Sequence, residues 1–140
     1  MALATLAGAL AGACGGEQHV CTNAPLAVDQ TKRVVTLTEA ERKELCDWNT
    51  CQLGGYGAQL SCQNGPPVRV AASQGSCLAT IPRSQACQAT VADLVRCIQA
   101  VRANPCQTTL LTGTACDAVT DFDCVTFTPS ALVVGPMQGG

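Results

Sequence analysis

The chain has 140 residues, eight of them basic and ten acidic, for a net charge of −2. That length suits one domain with a leader and a tail, and a near-neutral balance without a basic stripe excludes a nucleic-acid-binding surface. Hydrophobic residues make up 47% of the chain, yet only Trp48, Tyr56, Phe122 and Phe127 are aromatic, so a core of small aliphatic side chains, worth about 25 cal/mol per Å² buried, needs a covalent supplement.

Residues 1–13 are uncharged and rich in Ala and Leu, as in the apolar stretch of a signal peptide, and are too few for the roughly 20 residues of a membrane-spanning helix. Ala11-Gly12-Ala13 gives a small-x-small cleavage pattern just before Cys14. Leu10-Ala11-Gly12-Ala13-Cys14, followed by Gly15-Gly16, resembles a bacterial lipobox, which implies that Cys14 becomes the acylated N-terminus of an outer-membrane lipoprotein and that the partner there is a membrane. The alternative is ordinary signal-peptidase cleavage at the same bond, leaving Cys14 a free thiol on a secreted or periplasmic protein.

The cysteine count supports this. Eleven cysteines lie at 14, 21, 46, 51, 62, 77, 87, 97, 106, 116 and 124, near the density that marks a disulfide scaffold. Setting Cys14 apart leaves Cys21, Cys46, Cys51, Cys62, Cys77, Cys87, Cys97, Cys106, Cys116 and Cys124, an even ten able to form five bridges. Metal sites favour short pairs such as C-x2-C, and the closest spacing here is Cys46-x4-Cys51. The expectation is therefore disulfides in an oxidising, extracytoplasmic compartment, with no metal and no cofactor.

Residues 14–37 read as a tether, polar up to Arg33. The run Val34-Val35-Thr36-Leu37 is either a brief extended segment or an apolar lead-in to a helix. Thr38-Glu39-Ala40-Glu41 is a capping box and starts a helix near 39–53, with Leu45 and Trp48 on one face; Gly54-Gly55 ends it. Cys46 and Cys51 both fall on this helix. Five residues are about 7.5 Å of rise and roughly 140° of rotation, too far apart for a mutual bridge. Each must tie the helix to a different neighbour, which makes it the hub of the fold.

Tyr56 to Cys62 is expected to add one or two helical turns, and Asn64-Gly65-Pro66-Pro67 to form a loop. Ser73 caps a short helix through Cys77 to Thr80. Thr90 starts the most periodic segment, 90–103, where Val91, Leu94, Val95, Ile98 and Val101 make one apolar stripe, flanked by Cys97 and ended by Asn104-Pro105. A last helix is expected from Ala115 to Cys124, with Thr114 as cap and Val119 and Phe122 inward. Residues 125–140 read as a loose tail. The fold class is thus mainly α: a small disulfide-rich array of short helices over 38–124, between an extended tether and a tail.

Ten cysteines allow too many pairings for composition to choose among them. A short Pro-containing connection should set helices 90–103 and 115–124 antiparallel. Cross-links in a hairpin share a midpoint, which pairs Cys97 with Cys116 and Cys87 with Cys124. Cys106, at the turn, must then pair outside, with the hub through Cys46 or Cys51.

Catalytic chemistry finds little footing. The one histidine, His19, lies in the tether, away from any nucleophile it would have to activate. Asp117, Asp121 and Asp123 are the one acidic cluster, without the glycine turn and closing glutamate of a calcium loop. Asp117 is expected to serve the helix N-terminus and the others to be solvated. Gly54-Gly55-Tyr56-Gly57 is similar to the calcium loop of secreted phospholipases A2, but their His-Asp pair has no counterpart here.

Leu45-Cys46-Asp47-Trp48, Gly54-Gly55-Tyr56-Gly57, Cys62, Ser73 with Cys77, Cys87-x2-Thr90-Val91 and Pro105-Cys106 together resemble a group of uncharacterised cysteine-rich secreted proteins and lipoproteins of myxobacteria, over roughly residues 38–124. The resemblance implies an envelope location and no activity. The expected function is an exported, lipid-anchored envelope module, binding or structural, facing an envelope protein or an extracellular ligand. The alternatives are an inhibitor of secreted hydrolases and a small carboxylate-dependent enzyme.

Overall fold

The computed structural model describes residues 21–22, 24–62, 67–106, 115–124 and 133–134. The expected leader, Cys14, His19, Thr114 and most of the tail lie outside them. The order is helix α1 (Glu39–Gln52), strands β1 (Gln59–Leu60) and β2 (Val68–Val70), helices α2 (Gln74–Leu78), α3 (Val91–Ala103) and α4 (Asp117–Thr120), and strand β3 (Val133–Val134). The architecture is mainly helical with a small sheet. No helix among the described residues is long and apolar enough to cross a membrane.

The three longer helices begin where their caps dictate. Thr38 accepts from the Glu41 amide while Glu41 accepts from the Thr38 amide; Ser73 with Ser76 and Thr90 with Asp93 repeat the arrangement on α2 and α3. These reciprocal bonds satisfy amides that a helix start leaves open. At the far end of α1 the amides of Gly54 and Gly55 donate to the carbonyls of Cys51 and Thr50. This closure needs a left-handed residue after the cap, and Gly54 supplies it with φ +99°.

Every residue of the predicted α3 stripe is buried, and Cys97 is buried beside it. With Leu45 of α1 and Val119 of α4 these side chains form the centre of the core. The lead-in before α1 is a 3-10 turn, Val34–Thr36. Val28, Val34, Val35 and Leu37 are buried, so the folded unit takes in residues read from sequence as tether. Arg33 pairs as a bridge with Thr90. Its guanidinium also donates to the carbonyls of Gln85 and Cys87 at 2.6 and 2.7 Å, which fastens the segment across the start of α3.

Three further segments differ from expectation. Tyr56 to Cys62 is not helical: Gly57, at φ +75°, turns the chain into β1, which pairs antiparallel with β2. The last helix is shorter than expected, because Asp121 leaves α4 in extended geometry (ψ 149°) and a 3-10 turn, Phe122–Cys124, follows. That break rotates Phe122 outward, to 86% exposure, while Val119 stays buried. Within the predicted tail, Val133 and Val134 pair with Val70 and Arg69, completing a sheet of order β1-β2-β3.

Five bridges close the structure: Cys21–Cys51, Cys46–Cys77, Cys62–Cys106, Cys87–Cys124 and Cys97–Cys116. Their Cα separations run from 4.5 Å to 5.9 Å, inside the range a disulfide spans. Cys46 and Cys51 do lead to different neighbours, and the two hairpin bridges nest as predicted. Cys106 does not reach the hub. Its partner is Cys62, at the end of β1, so it pins the small sheet to the end of α3. All ten cysteines after Cys14 are bridged, a state consistent with an extracytoplasmic compartment.

Candidate functional site

Glu44, Asp47, Trp48 and Cys51 follow one another at i, i+3, i+4 and i+7, and so lie on one face of α1. Against that face runs the segment carrying Pro25 and Leu26, leaving an open cleft of about 170 Å³ between them. Clefts that take whole drug-sized ligands hold roughly 300–1,000 Å³. This one has room for a single side chain or a small head group.

The cleft is held by bonds from several directions. Cys51 is bridged to Cys21, which staples the opposing segment to the helix. Glu44 Oε1 accepts the Ala27 amide at 3.0 Å. Asp47 Oδ1 accepts from the Tyr56 hydroxyl at 2.7 Å, and Gln74 Nε2 reaches both carboxylate oxygens at 2.9 and 3.0 Å. Burial, and then the bond to Asp47, raises the Tyr56 phenol above its ordinary value of 10.0, so this donor keeps its proton across the physiological range. Trp48 packs part of its surface against the core and shows the rest to the cleft.

Two carboxylates beside one indole suit a positive group. The ring face attracts a cation, and the acids supply opposite charge. The sequence sets Trp48 on a helix face with Leu45 but gives Glu44 and Asp47 no mark as site residues. The available signal was their i, i+3, i+4 spacing with Trp48.

The residues flagged from sequence fall elsewhere. The ten cysteines are paired and hold the fold. Asp117 stands in the first turn of α4, while Asp121 lies beyond its end, so the two are not one turn apart on a helix. Among the described residues no group of three or more His, Cys, Asp or Glu side chains could hold a metal ion. No protein-family model, curated protein or solved structure matches the chain.

Proposed function

We propose that this protein is an exported envelope module, anchored by a lipid on Cys14, that uses the α1 cleft to bind a small positively charged group. The observation that carries the reading is the fixing of both cleft walls by Cys21–Cys51 and by the bonds to Glu44 and Asp47. A site ordered before its ligand arrives avoids the entropy of ordering on binding. Residues 15–20 would join the anchor to the folded unit, whose first staple is at Cys21, and the bridges preserve the surface outside the cell.

Trp48 is the only tryptophan, so its fluorescence reports on the cleft. Titration with tetramethylammonium should change it saturably, whereas sodium chloride at equal ionic strength should not. Glu44→Gln should weaken the response about threefold, as expected for one exposed charge contact. An unsaturable response, or one identical in Glu44→Gln, rejects the cleft as the site. Anchoring is tested apart from binding: the full chain made in a Gram-negative host should take up radioactive palmitate and partition into detergent, and Cys14→Ser should abolish both. A wild type that stays unlabelled rejects the lipid anchor.

A further inference from the structure

The five bridges fall into two groups by access. Cys46–Cys77, Cys87–Cys124 and Cys97–Cys116 are locked in the core, with every one of their cysteines at 1% exposure or less. Cys62–Cys106 and Cys21–Cys51 each present one exposed half, Cys106 and Cys21, and one half-buried half. Disulfide exchange requires an incoming thiolate to reach a sulfur of the bridge, so access sets which bridges react.

We propose that Cys62–Cys106 and Cys21–Cys51 are thiol–disulfide exchange sites, open to a dithiol reductant while the three core bridges keep the helices folded. In the first step a thiolate of the dithiol attacks Sγ of Cys106 (or Cys21) and forms a mixed disulfide. Cys62 (or Cys51) leaves as a thiolate and takes a proton from water. The second thiol of the reagent, deprotonated, then attacks its own sulfur in the mixed disulfide, closes the reagent into a cyclic disulfide and releases the second protein thiolate, which is protonated in turn. Two electrons pass from the dithiol to the protein at each bridge.

The consequences differ by position. Opening Cys62–Cys106 frees the sheet from the end of α3. Opening Cys21–Cys51 unfastens one wall of the α1 cleft. The core bridges, by contrast, join α1 to α2, and α3 and the chain just before it to the segment 116–124, and these elements also share the apolar core. The scaffold therefore outlasts its surface bridges.

The test uses the full oxidised chain in rising concentrations of dithiothreitol, quenched with N-ethylmaleimide and mapped by proteolysis and mass spectrometry, with helix content followed by circular dichroism. Cys14, outside the ten, is scored separately. The expected intermediate carries label at 21, 51, 62 and 106, none at the other six bridged cysteines, and keeps the helix signal. Label appearing at a core cysteine in step with the surface four overturns the proposal, as does loss of the helix signal with the first bridges. The double variant Cys62→Ala/Cys106→Ala gives an independent check. It should retain the helix signal and show label first at 21 and 51; first label at a core pair contradicts the assignment.

Discussion

The Tyr56 hydroxyl donates to Asp47 Oδ1 across 2.7 Å, tying the glycine turn after α1 back onto the middle of the helix. Tyr56 is the only tyrosine, so its ionisation is directly visible in ultraviolet absorbance. Its pKa is raised by burial and by Asp47. Stability from the neutral phenol is therefore complete below pH 10 and lost as pH climbs toward the folded value. Alkaline titration of the native protein should show tyrosinate appearing later than in the denatured chain, and Asp47→Asn should bring it earlier. Tyr56→Phe should cost about 1–2 kcal/mol, since Gln74 still serves the half-buried carboxylate.

Acid tests a different contact. The Lys32 ammonium first, and then the amide and hydroxyl of Thr38, hold the Glu41 carboxyl at about 2, below its ordinary 4.5. A depressed carboxyl contributes stability that is present above 4.5 and lost as pH falls toward 2. Urea midpoints should decline over that window in the wild type and decline less in Glu41→Gln. Equal slopes would mean that Glu41 carries none of this acid sensitivity.

Packing predicts opposite results for Phe122, beside the C-terminal bridge, and Ile98, in the core on α3. Val119 is buried at 1% exposure and Phe122 stands 86% exposed. Phe122→Ser should change stability by no more than about 0.5 kcal/mol, the usual range for an uninvolved surface position. Ile98→Ala, at a fully buried site on α3, should cost about 2–5 kcal/mol. Chemical denaturation of both variants separates this arrangement from one with Phe122 in the core.

Local chemistry made much of the helical frame legible. Thr38 with Glu41 and Thr90 with Asp93 announce their helices through bonds three residues apart, and the α3 stripe repeats with the helix period. The hairpin bridges followed from chain direction alone. The sheet did not show itself, because strands of two or three residues carry no alternation and Arg69 meets Val134 from a distant part of the chain. Without the sheet, Cys62 had no expected place beside Cys106, and the hub took that partner by default. Phe122 points outward because the helical period that would turn it inward stops before Asp121, where the helix has ended. The cleft was hidden for a related reason: its second wall is irregular chain, positioned by Cys21–Cys51 rather than by any pattern of its own.

A single bridge typically contributes about 2–4 kcal/mol, against a domain total of about 5–15 kcal/mol. Complete reduction should therefore abolish most of the helix signal, and reoxidation should restore it. A fully reduced chain that keeps its native spectrum would assign the stability to packing instead.

The fold rests on ten cysteines bound in five specific pairs. Its most direct test is the protein isolated from the extracytoplasmic fraction of an expressing cell, alkylated without reduction, digested and mapped by mass spectrometry. Peptides should be recovered joined as 21–51, 46–77, 62–106, 87–124 and 97–116, with no alkylated cysteine among these ten. Free thiols at several of these positions, or Cys97 linked to any cysteine before residue 87, would contradict it.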